Sequence, residues 1–258
     1  MRRLADLTWP EIAELPKEVA IIPLGACEQH GHGMALRVDT TRAEVVADLV
    51  AAQLSPKVVI TPAIPVGVSE HHMGFPGTLT LTPATLMQVI RDIATSLHRH
   101  GWRKIFILTG HGGNNSTVDT VLATLRADYQ DTWFAWSGIT PVVSDVAAEL
   151  ADSKVRGHSC EIETSQALFS DPTLVLPERL QRGSAQLQDL DAAGQLSRQH
   201  KGIHFPQSYD ALSATGNLGD PRLASVEAGA RLVNTAAERI AAFLQGLIDL
   251  PEKKPERE

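Results

Sequence analysis

Trp102-Arg103-Lys104-Ile105-Phe106-Ile107-Leu108-Thr109-Gly110-His111-Gly112-Gly113-Asn114-Asn115 is the stretch whose reading decides the fold. The apolar run up to Leu108 reads as a buried strand, and the glycines after it as a sharp turn. The alanine- and leucine-bearing stretch beyond Asn115 reads as a helix. Strand, glycine-rich turn and helix are the ingredients of an α/β site built at strand carboxyl ends. The turn is not a phosphate-binding loop, because it lacks the Lys-Ser/Thr ending and the dinucleotide glycine spacing. Its glycines permit close backbone approach and leave His111 able to reach a central site. A capping or buried, hydrogen-bonded histidine is the alternative.

The same pattern recurs on either side. Val19-Ala20-Ile21-Ile22 reads as a short buried strand, with Pro23 and Gly25 as the break that ends it. An amphipathic helix is predicted over Thr40–Leu54, and a further strand at Val58–Ile60. Residues 83–99 are helical, with Thr82 as N-cap and Pro83 in the first turn. Thr132–Trp136 is another strand, Pro141–Asp152 a connection or short helix, and 222–247 a long alanine-rich helix. Residues 171–210 have weak periodicity and suit an active-site or subunit-contact segment, with His204-Phe205-Pro206 its most distinctive feature. The expected architecture is one domain over 1–258, with a frayed tail from about 250. It is a three-layer α/β/α sandwich with a mostly parallel sheet.

Three segments carry candidate chemistry. Glu28, His30 and Asp39 offer ligand atoms that suit a divalent metal of the zinc, manganese or iron class. In an extended segment residues 28 and 30 point the same way, and His32 shares that direction. Asp39, just before the predicted helix, can cap it, hold a metal, or do both. Gly67 to Thr78, with Ser69, His71 and His72, reads as an irregular functional loop. Gly157 to Ser165 contains His158, Glu161 and Glu163, an acid/base and metal set or a group of helix-start charges. With a helix from Ser159, residues 158 and 163 share a side whereas 161 and 163 do not.

Bulk properties narrow the class. The 258-residue chain has a formal charge of -7 and no concentrated basic footprint, which argues against nucleic acid as partner. No signal peptide or membrane span is visible. Two cysteines, Cys27 and Cys160, make no disulfide framework and suggest a reducing, cytoplasmic setting.

The chain resembles the creatininase (creatinine amidohydrolase) family. The resemblance rests on Glu28-Gln29-His30 with Asp39, on His72 through Thr78, on Gly110-His111-Gly112-Gly113-Asn114 and on His158 through Ser165. Gly219-Asp220-Pro221 also looks like the family. The resemblance implies an α/β metallohydrolase that cleaves C–N bonds of cyclic or open amides with a metal-activated water. It implies two divalent ions per subunit, zinc first and manganese or iron as alternatives. A small-molecule substrate and a homo-oligomer, in several members a hexamer, are implied too. By motif position Glu28, His30, Asp39 and His111 are the expected ligands, with Asp39 bridging. Creatinine-cleaving relatives place a glutamate where this chain has Gly113, so Glu161 or Glu163 must supply that carboxylate. His158 and Glu163 are the expected catalytic pair, with Glu161 as the ligand competing with Glu163. Ser69, His72, Gly112, Gly113 and Asn114 are expected around substrate or behind the ligands. The alternatives are cleavage of a non-amide bond in a cyclic carbohydrate ketone, and an inactive ligand-binding oligomer.

Overall fold

The computed structural model describes residues 3–200 and 202–253. Strands β1 (Val19–Leu24), β2 (Val58–Ile60), β3 (Lys104–Thr109) and β4 (Trp133–Gly138) form one sheet in the order β2-β1-β3-β4. Every neighbouring pair is parallel. The helices are α1 (Trp9–Ala13), α2 (Val38–Gln53), α3 (Pro83–Arg99), α4 (Asn115–Asp128), α5 (Ile139–Val142), α6 (Ser144–Leu150), α7 (Glu161–Ser170), α8 (Ala192–Leu196), α9 (Tyr209–Leu212) and α10 (Val226–Asp249).

The inner strands read as unbroken apolar runs because both faces of the sheet are covered. Alternation sends Val19, Ile21, Val58, Ile60, Phe106 and Leu108 to one face, where they meet Val46 and Val50 of α2 and Leu232 and Ile240 of α10. The intervening Ala20, Ile22, Val59, Ile105 and Ile107 meet Leu86 and Ile90 of α3 and Val121 and Leu125 of α4. The result is the α/β/α sandwich that the strand–helix alternation predicts.

Several boundaries differ from expectation. β1 runs through Pro23, which pairs with Leu108. The Pro23 carbonyl accepts from the Ile64 N–H at 2.9 Å, and its missing donor falls where β2 has already ended. α2 starts at Val38, so Asp39 lies inside its first turn, and no side-chain cap bond forms there. The capping alternative for Asp39 is therefore not realised. α10 starts at Val226 because Pro221–Leu223 forms a separate 3-10 turn. Lys253 sits 5.0 Å over the Trp133 ring, whereas 254–258, most of the expected frayed tail, lies outside the described residues.

Topology creates the crevice. α2 carries the chain from β1 to β2 across one face, and α3 and α4 carry it to β3 and β4 across the other. Winding reverses between β1 and β3, and such switch points open a crevice at strand carboxyl ends. Gly25 and Gly110 stand there. A Cβ on Gly25 would lie 2.4 Å from Thr40 Cα, and one on Gly110 would lie 2.1 Å from the Asp39 carbonyl oxygen. Glycine lets the first turn of α2 press onto both strand ends and brings Asp39 to the crevice.

Candidate metal centre

Glu28 and His30 enter from the segment after β1, Asp39 from α2, and His111 from the turn after β3. His158 and Glu163 enter from the start of α7. Asp39 faces two histidines with two different oxygens: Oδ1 is 3.5 Å from His30 Nε2, and Oδ2 is 3.4 Å from His111 Nδ1. Glu28 Oε1 lies 3.1 Å from His111 Nδ1, and 3.4 Å from both His72 Nε2 and His158 Nδ1. Glu163 Oε2 is 3.9 Å from His30 Nε2 and 3.7 Å from His158 Nδ1. Glu28, His30 and Asp39 are at most 1% exposed.

Hydrogen bonds on the far side of each ring set the chemistry of the near side. His30 Nδ1 donates to the Glu28 carbonyl at 3.1 Å, His111 Nε2 to the Val68 carbonyl at 2.9 Å, and His158 Nε2 to the Gln29 carbonyl. In the neutral ring each inward nitrogen is thereby left as a lone pair, the arrangement that backbone carbonyls impose on metal-binding histidines. Glu28 Oε1, His30 Nε2 and Asp39 Oδ2 are buried with no hydrogen-bond partner among the described residues. Orphaned buried atoms of this kind are costly unless something binds them. Burial opposes charge on His30 and His111, yet the carboxylates of Asp39 and Glu28 outweigh it and lift both pKa values to about 9. Asp39 is held well below the usual carboxylate range, by His30 and His111 against the penalty of burial. Burial and the neighbouring His30 instead press His158 down to about 4. The pocket thus stabilises positive charge at the same atoms that present lone pairs. A divalent cation fits there in place of protons.

Other expected residues fall into two groups. Glu163 joins the cluster: Oε2 accepts from the Ser159 N–H at 2.6 Å, and Oε1 accepts from Arg42. Glu161 does not join it. Its oxygens accept from the Ser153 N–H at 2.8 Å, the Ser153 hydroxyl at 3.0 Å and the Asp220 N–H at 3.3 Å. The expected ligand Glu161 is thereby corrected to a tie between the segments around residues 153 and 220. The cause is local: Ser159 has a φ of 55° and α7 begins at Glu161, and a spacing of two residues, just over half a turn, points the two carboxylates to opposite sides of the helix. Glu161→Gln should leave metal content unchanged and lower stability by about 1–3 kcal/mol, the cost of a disturbed buried acceptor. Thermal unfolding and metal analysis of the same preparation check both.

Ser69 lies behind Glu28, its hydroxyl donating to Glu28 Oε2 at 2.6 Å. Asn114 is fully buried, accepting from the Val68 N–H at 2.9 Å and donating to the Gly25 carbonyl at 3.0 Å. It ties loops together and has no amide end left for substrate. Gly112 and Gly113 line a cleft of about 470 Å³ with His71, His72, His158, Glu163, Tyr209 and the 138–141 segment. His32 is exposed and stands outside the cluster.

Three contributors escaped the sequence reading. Arg42 is 1% exposed and donates to Asp39 Oδ1 at 3.2 Å, to Glu163, to Gln166 and to Thr140. Its signal was the Asp39–Arg42 spacing of three on a helix. Gln29 hydrogen-bonds His72, and Tyr209 stacks on the same ring at 4.2 Å and 15°. Tyr209 comes from the segment without periodicity, where nothing distinguished it. His204 and Phe205, singled out there, are exposed.

Fold and site together define a metal-dependent hydrolase. Comparison with known proteins agrees. The family model described as Creatininase: Creatinine amidohydrolase matches residues 5–244, and the chain belongs to that family. It is 31% identical to the mycofactocin precursor peptide peptidase of Mycobacterium ulcerans (strain Agy99), over 93% of this chain and 88% of that protein. It is 29% identical to the creatinine amidohydrolase of Pseudomonas putida, over 92% and 94%. The crystal structure of a creatinine amidohydrolase homologue from Bacteroides fragilis NCTC 9343 superposes with a TM-score of 0.85 at 25% identity, covering 97% of both chains. Creatininase in a manganese form and in a zinc–zinc form superposes with TM-scores of 0.79 and 0.78 at 27% and 26% identity. Each spans 96% of this chain, and 99% and 98% of its own.

Proposed function

We propose that the chain hydrolyses the C–N bond of a small polar amide, cyclic or open, around two divalent ions per subunit. The observation that carries this reading is the convergence of three orphaned buried atoms, Glu28 Oε1, His30 Nε2 and Asp39 Oδ2. Glu28, Asp39 Oδ2 and His111 would hold one ion, and His30, Asp39 Oδ1 and Glu163 the other. Zinc is the first choice and manganese or iron the alternatives; the manganese and zinc–zinc forms of related creatininases support zinc and manganese alike as candidates. When bound, the ions supply Lewis acidity and bring the pKa of water toward neutrality.

The chain's own residues do the rest. His158 Nδ1, a lone pair at neutral pH, takes the proton of the attacking water, and the resulting imidazolium rests between Glu28 and Glu163. The same atom returns the proton to the departing nitrogen. Arg42 holds Glu163 against Asp39 by donating to both carboxylates. Among the described residues no lysine or arginine lines the cleft, which supports a neutral amide over a phosphorylated substrate. A Cβ on Gly113 would come 2.3 Å from His111 Nε2 and 2.7 Å from His71 Cε1. No side chain fits there without moving those rings, which supports a substrate other than creatinine. The similarity to a precursor-peptide peptidase supports a peptide-like amide.

The test is ring opening of creatinine to creatine, and amine release from an N-formyl amino acid and short peptides, by zinc- or manganese-loaded protein. We expect hydrolysis of at least one, loss on chelation and recovery on resupply. Metal-loaded protein that hydrolyses none of them overturns the amide reading. Carbonyl loss from a cyclic sugar ketone would replace it. We further propose a homo-oligomer, supported by apolar side chains such as Trp9, 81% exposed, and Phe243, 53% exposed. A cytoplasmic setting is part of the reading, supported by the free thiols of Cys27 and Cys160. Among the described residues no helix is long and apolar enough to cross a membrane.

A further inference from the structure

Five histidine rings, His30, His71, His72, His111 and His158, crowd Glu28, and His72 differs from three of them in how its outer nitrogen is held. His30, His111 and His158 each donate outward to a backbone carbonyl. The outer nitrogen of His72, Nδ1, lies instead 2.9 Å from the side-chain nitrogen of Gln29. The orientation of that amide is fixed twice. Its oxygen accepts from the Gly31 N–H at 2.8 Å, and its nitrogen donates to the Gly216 carbonyl at 3.0 Å. The nitrogen facing His72 is therefore a donor, His72 Nδ1 is an acceptor, and the ring proton of the neutral imidazole must sit on Nε2. Nε2 points inward, 3.4 Å from Glu28 Oε1, yet Glu28 Oε1 accepts no hydrogen bond. Tyr209, stacked on the ring, prevents it from turning away.

We propose that His72 is a catalytic N–H donor to the substrate's carbonyl oxygen rather than a metal ligand, with its proton fixed on Nε2 by Gln29. This rests on the metal centre proposed above. A protonated ring nitrogen has no lone pair for a cation, although His72 lies close enough to Glu28 and His158 to be grouped with them as a ligand. A fixed donor at the cleft wall, aimed where oxygen gains negative charge, stabilises that charge with no reorganisation. Glycine at 216 belongs to the device: a Cβ there would lie 2.2 Å from Gln29 Oε1.

The test measures metal per subunit, and calorimetric binding of acetohydroxamate to zinc-loaded protein, in the parent, His72→Ala, His72→Gln and Gln29→Glu. All four should hold equal metal. His72→Ala should bind acetohydroxamate about 10- to 100-fold more weakly, the loss of one hydrogen bond to a charged oxygen. His72→Gln, whose terminal NH2 reaches the same point, should recover much of it. Gln29→Glu draws the proton onto Nδ1 and should show the same weakening with the ring in place. Metal loss in both His72 variants would make His72 a ligand and overturn the assignment. Parent-like hydroxamate binding by His72→Ala or by Gln29→Glu would overturn the donor role. A parent that retains no zinc fails the metal centre itself, a result distinct from either.

Discussion

Asp39→Asn should abolish retention of the paired metal and lower amide hydrolysis by at least about 10³-fold, or about 4 kcal/mol of transition-state stabilisation. The size of the effect follows from the position of this one side chain. Its two oxygens face His30 and His111 separately, so a single substitution weakens both proposed ligand sets. Asparagine keeps the shape, but it replaces one anionic oxygen with an NH2 that cannot ligate. The Arg42 guanidinium would then face a neutral amide, which weakens its hold on the centre from a second side. Metal per subunit, measured after gel filtration without chelator, decides the matter. About two ions in the parent and fewer than about half of one in the variant is the expected result for a shared ligand. Equal metal in both would remove Asp39 from the bridge.

How much of this centre could be read beforehand depended on whether a residue's role is written into its own neighbourhood. Glu28, His30 and His111 follow buried strands and sit in glycine-rich turns, so local pattern alone placed them at carboxyl ends of one sheet. Asp39 was placed almost correctly, although its helix begins one residue before it. The choice between Glu161 and Glu163 was half legible. A helical phase drawn from Ser159 pairs residue 158 with 163 and turns 161 away, but it cannot supply the Ser153 and Asp220 partners that hold Glu161. Tyr209 and Gln29 act through partners about 137 and 43 residues away in the chain, a separation over which no periodicity informs. Arg42 was missed for another reason. α2 packs on the sheet, α7 and α10, so a basic residue on it need not face solvent. Charged residues are almost never fully buried without partners, and Arg42 has carboxylates on two elements.

Arg42→Met should be the most destabilising single change at the centre in metal-free protein, costing about 3–5 kcal/mol. Methionine fills much of the volume, so lost packing is the smaller part. The larger part is electrostatic, because Asp39 and Glu163 would remain buried together without their shared cation. Burial opposes the charged form of Glu163, and Arg42 is the main influence that pulls its pKa below 4.5 in the folded protein. A carboxyl whose folded pKa is depressed adds stability above its unfolded pKa and loses it as pH falls through the folded value. The gap between parent and variant should therefore be full above pH 4.5 and narrow in more acidic buffer, where Glu163 takes up a proton. At about 2–4 °C per kcal/mol for a chain of this size, the neutral-pH difference in Tm is roughly 10 °C. Metal should shrink it, since ions at the same carboxylates replace the missing charge and their binding to the folded state adds stability. Thermal unfolding of chelated and zinc-loaded samples at two pH values tests each part. A gap that ignores both pH and metal would mean that Arg42 acts through packing alone, and its tie to Glu163 would carry no weight in holding the centre.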